Sequence, residues 1–408
     1  MILIGPFKQL VTMAELPERG ALSDHQLQII PNGGVLIAKG HFQAVGDFEQ
    51  LKSEANPSSI QFMDQDLVAF PGLIDAHTHI CWAGSRASDY AARLSGQSYQ
   101  EIAARGGGIW STVTQTRAAT FEQLTDLTDH RAQNLLKQGI TTIEVKSGYG
   151  LSVEHELKIL QAIAQADTLC IPQLIPTCLA AHMLPHDFEG SEADYLSNLV
   201  HHLLPKVMKQ SLANRVDIFV EKVAFSATAA KNYLLKAKAM GFDLIIHGNQ
   251  FTSGSVQLAN DVEALSIDHL ETTPPDEILA LAKGNTIPIV LPGASIGLAE
   301  PFAPARQLLD AGTSLVIASD WNPGSAPMGN LLVQAAILGV AQKLTMAETW
   351  AALTIRAARA LKLNDRGCIQ RGHLADLIAF PTRNYQEVLY HQGQMLPEKI
   401  WKNGILTK

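Results

Sequence analysis

Eight short apolar runs, separated by longer stretches with apolar residues three and four apart, limit what this chain can fold into more than any other feature. The runs are LVAFPGLIDAHTH, GITTIEVKSG, CIPQLIPTCLAAH, RVDIFVEK, FDLIIHG, ALSIDHLE, IPIVLPG and SLVIASDWNPG. Between them, segments such as EHELKILQAIAQA and AAKNYLLKAKAMG show the spacing of amphipathic helices. Strands joined by helices run parallel, because the crossover returns the chain to the same edge. Eight such units predict a closed (β/α)8 barrel of the TIM type. An open doubly wound sheet is the rival architecture, but no G-x-G-x-x-G follows the first run, which counts against a nucleotide-binding enzyme of that kind.

The two ends read differently from the middle. GGVLIAKGHFQAVGD near the start alternates and is broken by glycine, and GCIQRGHLADLIAF and KIWKNGIL near the end do the same. Residues 1–66 and 361–408 are therefore expected to form one small β-sandwich domain beside a barrel of residues 67–360. No internal repeat or low-complexity tract interrupts this plan.

Composition narrows the function. The 408 residues are 47% hydrophobic and only 17% charged, so most of the chain must lie inside something folded. A formal charge of −8 argues against nucleic acid or an anionic membrane as partner. Four scattered cysteines with no C-x-x-C suit a reducing compartment. No signal peptide is read at the start, and no run of eighteen apolar residues occurs, so a cytoplasmic location is expected.

Chemistry in such barrels gathers at the C-terminal ends of the strands. The first run ends in His77 and His79, the second in Glu144, Lys146 and Tyr149, and the third leads to His182. The fourth gives Glu221 and Lys222, the fifth His247 and the sixth His269. The seventh brings nothing ionisable, and the eighth ends in Asp320 followed by Asn322. Five of the fourteen histidines thus stand at strand ends. Residues two apart in a strand face the same side, so His77, His79 and Asp75 point together. Two imidazoles converging on one point suit a transition metal, with His247 and Asp320 as candidates to complete the set.

Taken with the lone histidines on runs five and six and the SD on run eight, PGLIDAHTH resembles the amidohydrolase superfamily, metal-dependent barrel hydrolases with a flanking β-sandwich. The resemblance spans most of the chain. Sharper pieces are HTHICWAGSR, RGGGI, EVKSGYGL, LAAHMLP, DHLE and ASDWNPGSAP. They are similar to the members of that superfamily that open 4-imidazolone-5-propanoate to N-formimino-L-glutamate in histidine degradation. The resemblance implies one Zn or Fe ion per chain, held by His77, His79, His247 and Asp320. Binuclear relatives use a bridging modified Lys or Glu on the fourth strand; a single ion leaves Glu221 and Lys222 outside the ligand set.

The ion would lower the pKa of its water to about 7 for attack on the ring carbonyl. His269 would stabilise the oxyanion or, like Asp320, move the proton. The bland alternative for His269 is a core histidine satisfied by Glu271. Arg86, seven residues after His79, offers a fork for the substrate's propionate. Tyr149 and His182 would line the ring. Asn322, Gly324 and Ser325 would hold polar atoms from a turn. The glycines of RGGG (105–108) are read as a flap near Arg86 and not as a phosphate loop. Gln250 departs from relatives that carry Glu there; it can hydrogen-bond but cannot act as a base. The expected partner is a small carboxylate-bearing molecule, with a homodimer implied by the superfamily. A deaminase of a small heterocycle and a catalytically silent metal binder are the competing readings.

Overall fold

A computed structural model describes residues 1–97, 101–102 and 105–407. Eight parallel strands form the centre: β1 (Leu73–Asp75), β2 (Ile140–Lys146), β3 (Gln173–Ala181), β4 (Arg215–Val220), β5 (Asp243–Gly248), β6 (Ser266–His269), β7 (Ile287–Val290) and β8 (Val316–Ile317). They hydrogen-bond in chain order. A parallel bridge between Thr78 and Trp321, just beyond β1 and β8, brings the last strand back to the first. Asp320 N–H donates to His77 O at 3.0 Å and His79 N–H to Trp321 O at 3.0 Å across the same seam. The expected barrel is therefore present, nearly closed, and the open sheet is excluded.

The helices follow from their caps and their apolar stripes. Ser152 caps the helix Val153–Asp167, whose Ile159, Leu160, Ile163 and Ala166 are buried at helical spacing against the barrel. Thr120 and Gln123 form a reciprocal capping box on the helix Phe121–Leu136. No helix among the described residues is long and apolar enough to cross a membrane.

Both chain ends meet in a second, mixed sheet of eight strands. Its inner strand Ile2–Val11 pairs antiparallel with Ile29–Ala38 and parallel with Ser59–Phe62 and Val68–Pro71. Val68–Pro71 in turn pairs with Leu377–Phe380, which carries Lys399–Lys402 beside it. Ile4, Phe7, Leu10, Phe42, Leu377 and Trp401 belong to a core of its own. The run LVAFPGLIDAHTH is thus two strands in two sheets. Pro71 lacks the N–H to continue a ladder, and at Gly72 a Cβ would lie 2.3 Å from Thr141 Oγ1. The chain turns there from the terminal sheet into β1.

Candidate active site and metal centre

The four proposed ligands converge at the C-terminal mouth of the barrel, where β1, β5 and β8 deliver them. His77 Nε2 lies 3.3 Å from His79 Nε2, and each is 3.4 Å from Asp320 Oδ1. His247 joins them, its ring centroid 4.6 Å from that of His77. All four side chains are buried. An ion with bonds of about 2.0–2.1 Å in tetrahedral geometry places its ligands about 3.3–3.4 Å apart, which matches the observed spacing. His247 Nε2 has no hydrogen-bond partner among the described residues, an arrangement a cation explains and an apolar core does not. The donor set therefore fits a divalent metal.

On two of the three histidines the other ring nitrogen faces a carboxylate, which sets the tautomer. His77 Nδ1 donates to Asp268 Oδ2 at 2.6 Å, and His247 Nδ1 faces Asp217 Oδ2 at 2.9 Å. With the proton on Nδ1, Nε2 keeps its lone pair for the metal. Burial and Lys146 work against a proton on His77, but Asp268 and Asp320 outweigh them and lift it to about 9. A bound cation replaces that proton. Burial would raise Asp320, but His77 and His79 hold it well below the usual carboxylate range.

Two backbone conformations aim the mouth residues. Asp320 has φ +52° and His269 φ +86°, both in the left-handed region that non-glycine residues avoid. His269 lies 5.3 Å from His247 between ring centroids, and its Nδ1 rests 3.4 Å from Glu271 Oε1. Its Nε2 is the nitrogen left for the site. Tyr149 and His182 stand on the other side of His79, at 5.9 and 5.6 Å between centroids. Burial, with His79 beside it, pushes His182 down to about 3, so it acts as a neutral imidazole. Burial and Asp320 raise the Tyr149 hydroxyl and outweigh Arg86, so it keeps its proton.

Arg86 begins the helix Ala87–Leu94 and pairs with Asp89, while Nη1 reaches Thr112 Oγ1 at 3.4 Å. The 105–108 loop is tied to the same place, because Gly108 N–H donates to Asp89 Oδ2 at 2.9 Å. A Cβ on Gly324 would lie 3.4 Å from Arg86 Nη1, so the guanidinium borders the loop after β8. That loop is tied together by its own hydrogen bonds. Asn322 Oδ1 accepts from Gly324 N–H at 2.7 Å and Ser325 N–H at 2.8 Å, and its Nδ2 donates to Asp320 O at 2.7 Å. Ser325 Oγ donates to Asp320 Oδ2 at 3.3 Å. These polar groups build the turn and hold Asp320. The second oxygen of Asp320 is likewise hydrogen-bonded.

Glu221 accepts from Phe251 N–H at 2.9 Å and Thr252 N–H at 3.1 Å, so it anchors the loop after β5 and does not face the ligands. Gln250 in that loop is nearly buried. Asp217, Asp268 and the aromatic Phe219 were not singled out from the sequence. Phe219 sits about 6 Å from the rings of both His182 and His247. The available signal was period two: Arg215, Asp217 and Phe219 share one face of β4, and a carboxylate inside an apolar strand needs a partner.

Fold and site together define a class. Residues 107–392 match the family model described as "Amidohydrolase family", and the chain belongs to that family. Within it the chain belongs with the imidazolonepropionases. It is 39% identical to the imidazolonepropionase of Deinococcus deserti over 400 residues, 97% of each chain. It is 38% identical to that of Idiomarina loihiensis, over 92% of each chain. Among solved structures, an atrazine chlorohydrolase from Arthrobacter aurescens complexed with zinc superimposes with a TM-score of 0.69 at 15% identity, covering 100% of this chain and 95% of that one. An adenosine deaminase from Xanthomonas campestris with bound zinc gives 0.71 at 17%, covering 99% and 92%. At such identities these two share the fold.

Proposed function

We propose that this chain hydrolyses the ring C–N bond of 4-imidazolone-5-propanoate to give N-formimino-L-glutamate, the histidine-degradation step, with one Zn or Fe ion held by His77, His79, His247 and Asp320. The observation that carries the reading is a juxtaposition. A His3Asp centre shares the barrel mouth with a flat, uncharged wall (Tyr149 and His182), and Arg86 borders the loop that holds Asp320. A planar ring bearing a carboxylate needs those groups.

A bound divalent ion supplies a polarising charge for the ring carbonyl and an acidified water. Asp320 takes the water's proton on Oδ2, where Ser325 already orients it. With Nδ1–H turned to Glu271, His269 donates from Nε2 when its ring is protonated, to the carbonyl oxygen as negative charge develops there, a contribution of about 3–4 kcal/mol for one such donor. Oxygen adds to the carbonyl carbon, the ring C–N bond breaks, and the freed nitrogen takes the proton from Asp320 or His269. The former carbonyl becomes the new carboxylate. Arg86 holds the propionate and Gln250 hydrogen-bonds at the edge of the site.

The test is loss of ultraviolet absorbance of freshly generated 4-imidazolone-5-propanoate, before and after chelation, with elemental analysis of the same batch. Metal-dependent ring opening with one ion per chain is expected. An inactive protein that still holds one ion, or ammonia release from an aminated heterocycle in its place, overturns the reading and favours a deaminase.

A further inference from the structure

Lys146 takes no part in the chemistry above, yet it is a fully enclosed ammonium in the barrel centre. It ends among three carboxylates: Glu144 Oε1 at 2.8 Å, Asp217 Oδ2 at 2.9 Å and Asp268 Oδ2 at 3.5 Å. Each of the three also holds one part of the metal centre. Asp268 accepts from His77 Nδ1 and Asp217 faces His247 Nδ1. Glu144 Oε2 accepts from Thr78 N–H at 3.3 Å, the peptide between His77 and His79, and Glu144 O accepts from Thr78 Oγ1 at 2.6 Å. The backbone N–H of Lys146 separately donates to Thr78 O at 2.9 Å. One side chain on β2 thereby reaches the ligand elements of β1 and β5 through β2, β4 and β6.

Three carboxylates enclosed together repel one another and resist burial. Asp217, His247 and Asp268 lie close enough to hold a cation, and the ammonium supplies that positive charge from within the chain. We propose that Lys146 is a positioning residue for the metal centre: by clamping Glu144, Asp217 and Asp268 it keeps His77, His79 and His247 in register. Asp320, held by Ser325 and the His77 carbonyl, lies outside this hub. The inference rests on the reading of these four residues as metal ligands.

The test uses the metal-free full chain. Zinc affinity is measured by competition with a chromophoric chelator, and visible absorption is recorded after cobalt(II) loading, for wild type, Lys146→Met, Asp268→Asn and the double variant. Lys146→Met is expected to bind zinc about 10–100-fold more weakly, as for other outer partners of metal-binding histidines, and to shift the cobalt bands. The double variant is expected to lose less than the product of the two single losses, because Lys146 acts through Asp268. A folded Lys146→Met with wild-type zinc affinity and cobalt spectrum overturns the proposal, as does full multiplicativity. If Lys146→Met does not fold, Glu144→Gln is read the same way through Thr78, and an unchanged cobalt spectrum there overturns it. A wild-type chain that binds neither metal removes the metal-site reading itself, an outcome distinct from failure of the hub.

Discussion

His269 occupies a backbone conformation that costs of order 1–3 kcal/mol, and such strain persists where the surroundings hold a side chain in a working position. His269→Ala should therefore keep the metal and lose turnover by about 10²–10⁴-fold, the range for a positioned proton donor; elemental analysis beside single-turnover kinetics checks both halves. Full activity would remove His269 from the reaction. Arg86→Ala should act differently, raising KM by about 2 kcal/mol, roughly thirtyfold, with a smaller change in kcat. An unchanged KM would leave the propionate without its clamp. At this scale the sequence was readable where a residue type is rare and its spacing regular, as in the two histidines of HTH. It was opaque where the partner is distant: nothing local says that Asp268 reaches His77 across 191 positions.

Elements fail or succeed by their contacts, and run seven shows how a strand end without ionisable groups still shapes the site. After β7, a Cβ on Gly297 would lie 1.7 Å from Ser325 O, so that glycine lets the helix Pro292–Leu298 pass against the Asp320 loop. Gly297→Ala should displace the loop and cost about 1–3 kcal/mol of stability, with a fall in zinc affinity as well; denaturant midpoints and the chelator competition measure the two. Glu348 plays the matching role on the helix Met346–Leu353. It accepts from Leu22 N–H at 3.0 Å, Thr345 N–H at 2.8 Å and Arg306 Nη1 at 2.9 Å. Burial raises it, but Arg306 and those N–H groups hold it below the usual carboxylate range. A depressed folded pKa means the stabilisation is present above the ordinary value and lost as pH falls through the folded one. Glu348→Gln should therefore lower the melting temperature at neutral pH, and the gap to wild type should narrow as pH drops below about 4. A gap that stays constant with pH would refute this assignment. The alternation of helices with strands was legible from periodicity. The break at Pro71–Gly72 was not, because both flanking strands are apolar on either side of it and only a Pro-Gly pair marks the change of sheet.

For the whole molecule, a metal that binds only the folded chain stabilises it by mass action, about 2.7 kcal/mol when free metal is a hundred times Kd. Chelation should lower the melting temperature by a few degrees and abolish ring opening, and returning zinc or iron should restore both. A melting temperature indifferent to chelation would argue that the histidines do not hold an ion tightly. The barrel could be counted from the sequence because each βα unit repeats one pattern. The shared sheet could be inferred from alternation at both ends, but its pairing order could not, since nothing in a strand names its neighbour.

That pairing has a consequence for how the protein is made. Val68–Pro71 waits for Leu377–Phe380, so during synthesis its outer edge stays open while the intervening chain emerges. At about 5–20 residues per second that interval lasts roughly 15–60 s. Through it, a nascent chain presents an unpaired apolar strand, the kind of edge that recruits a neighbouring chain or a chaperone before the last strands close it.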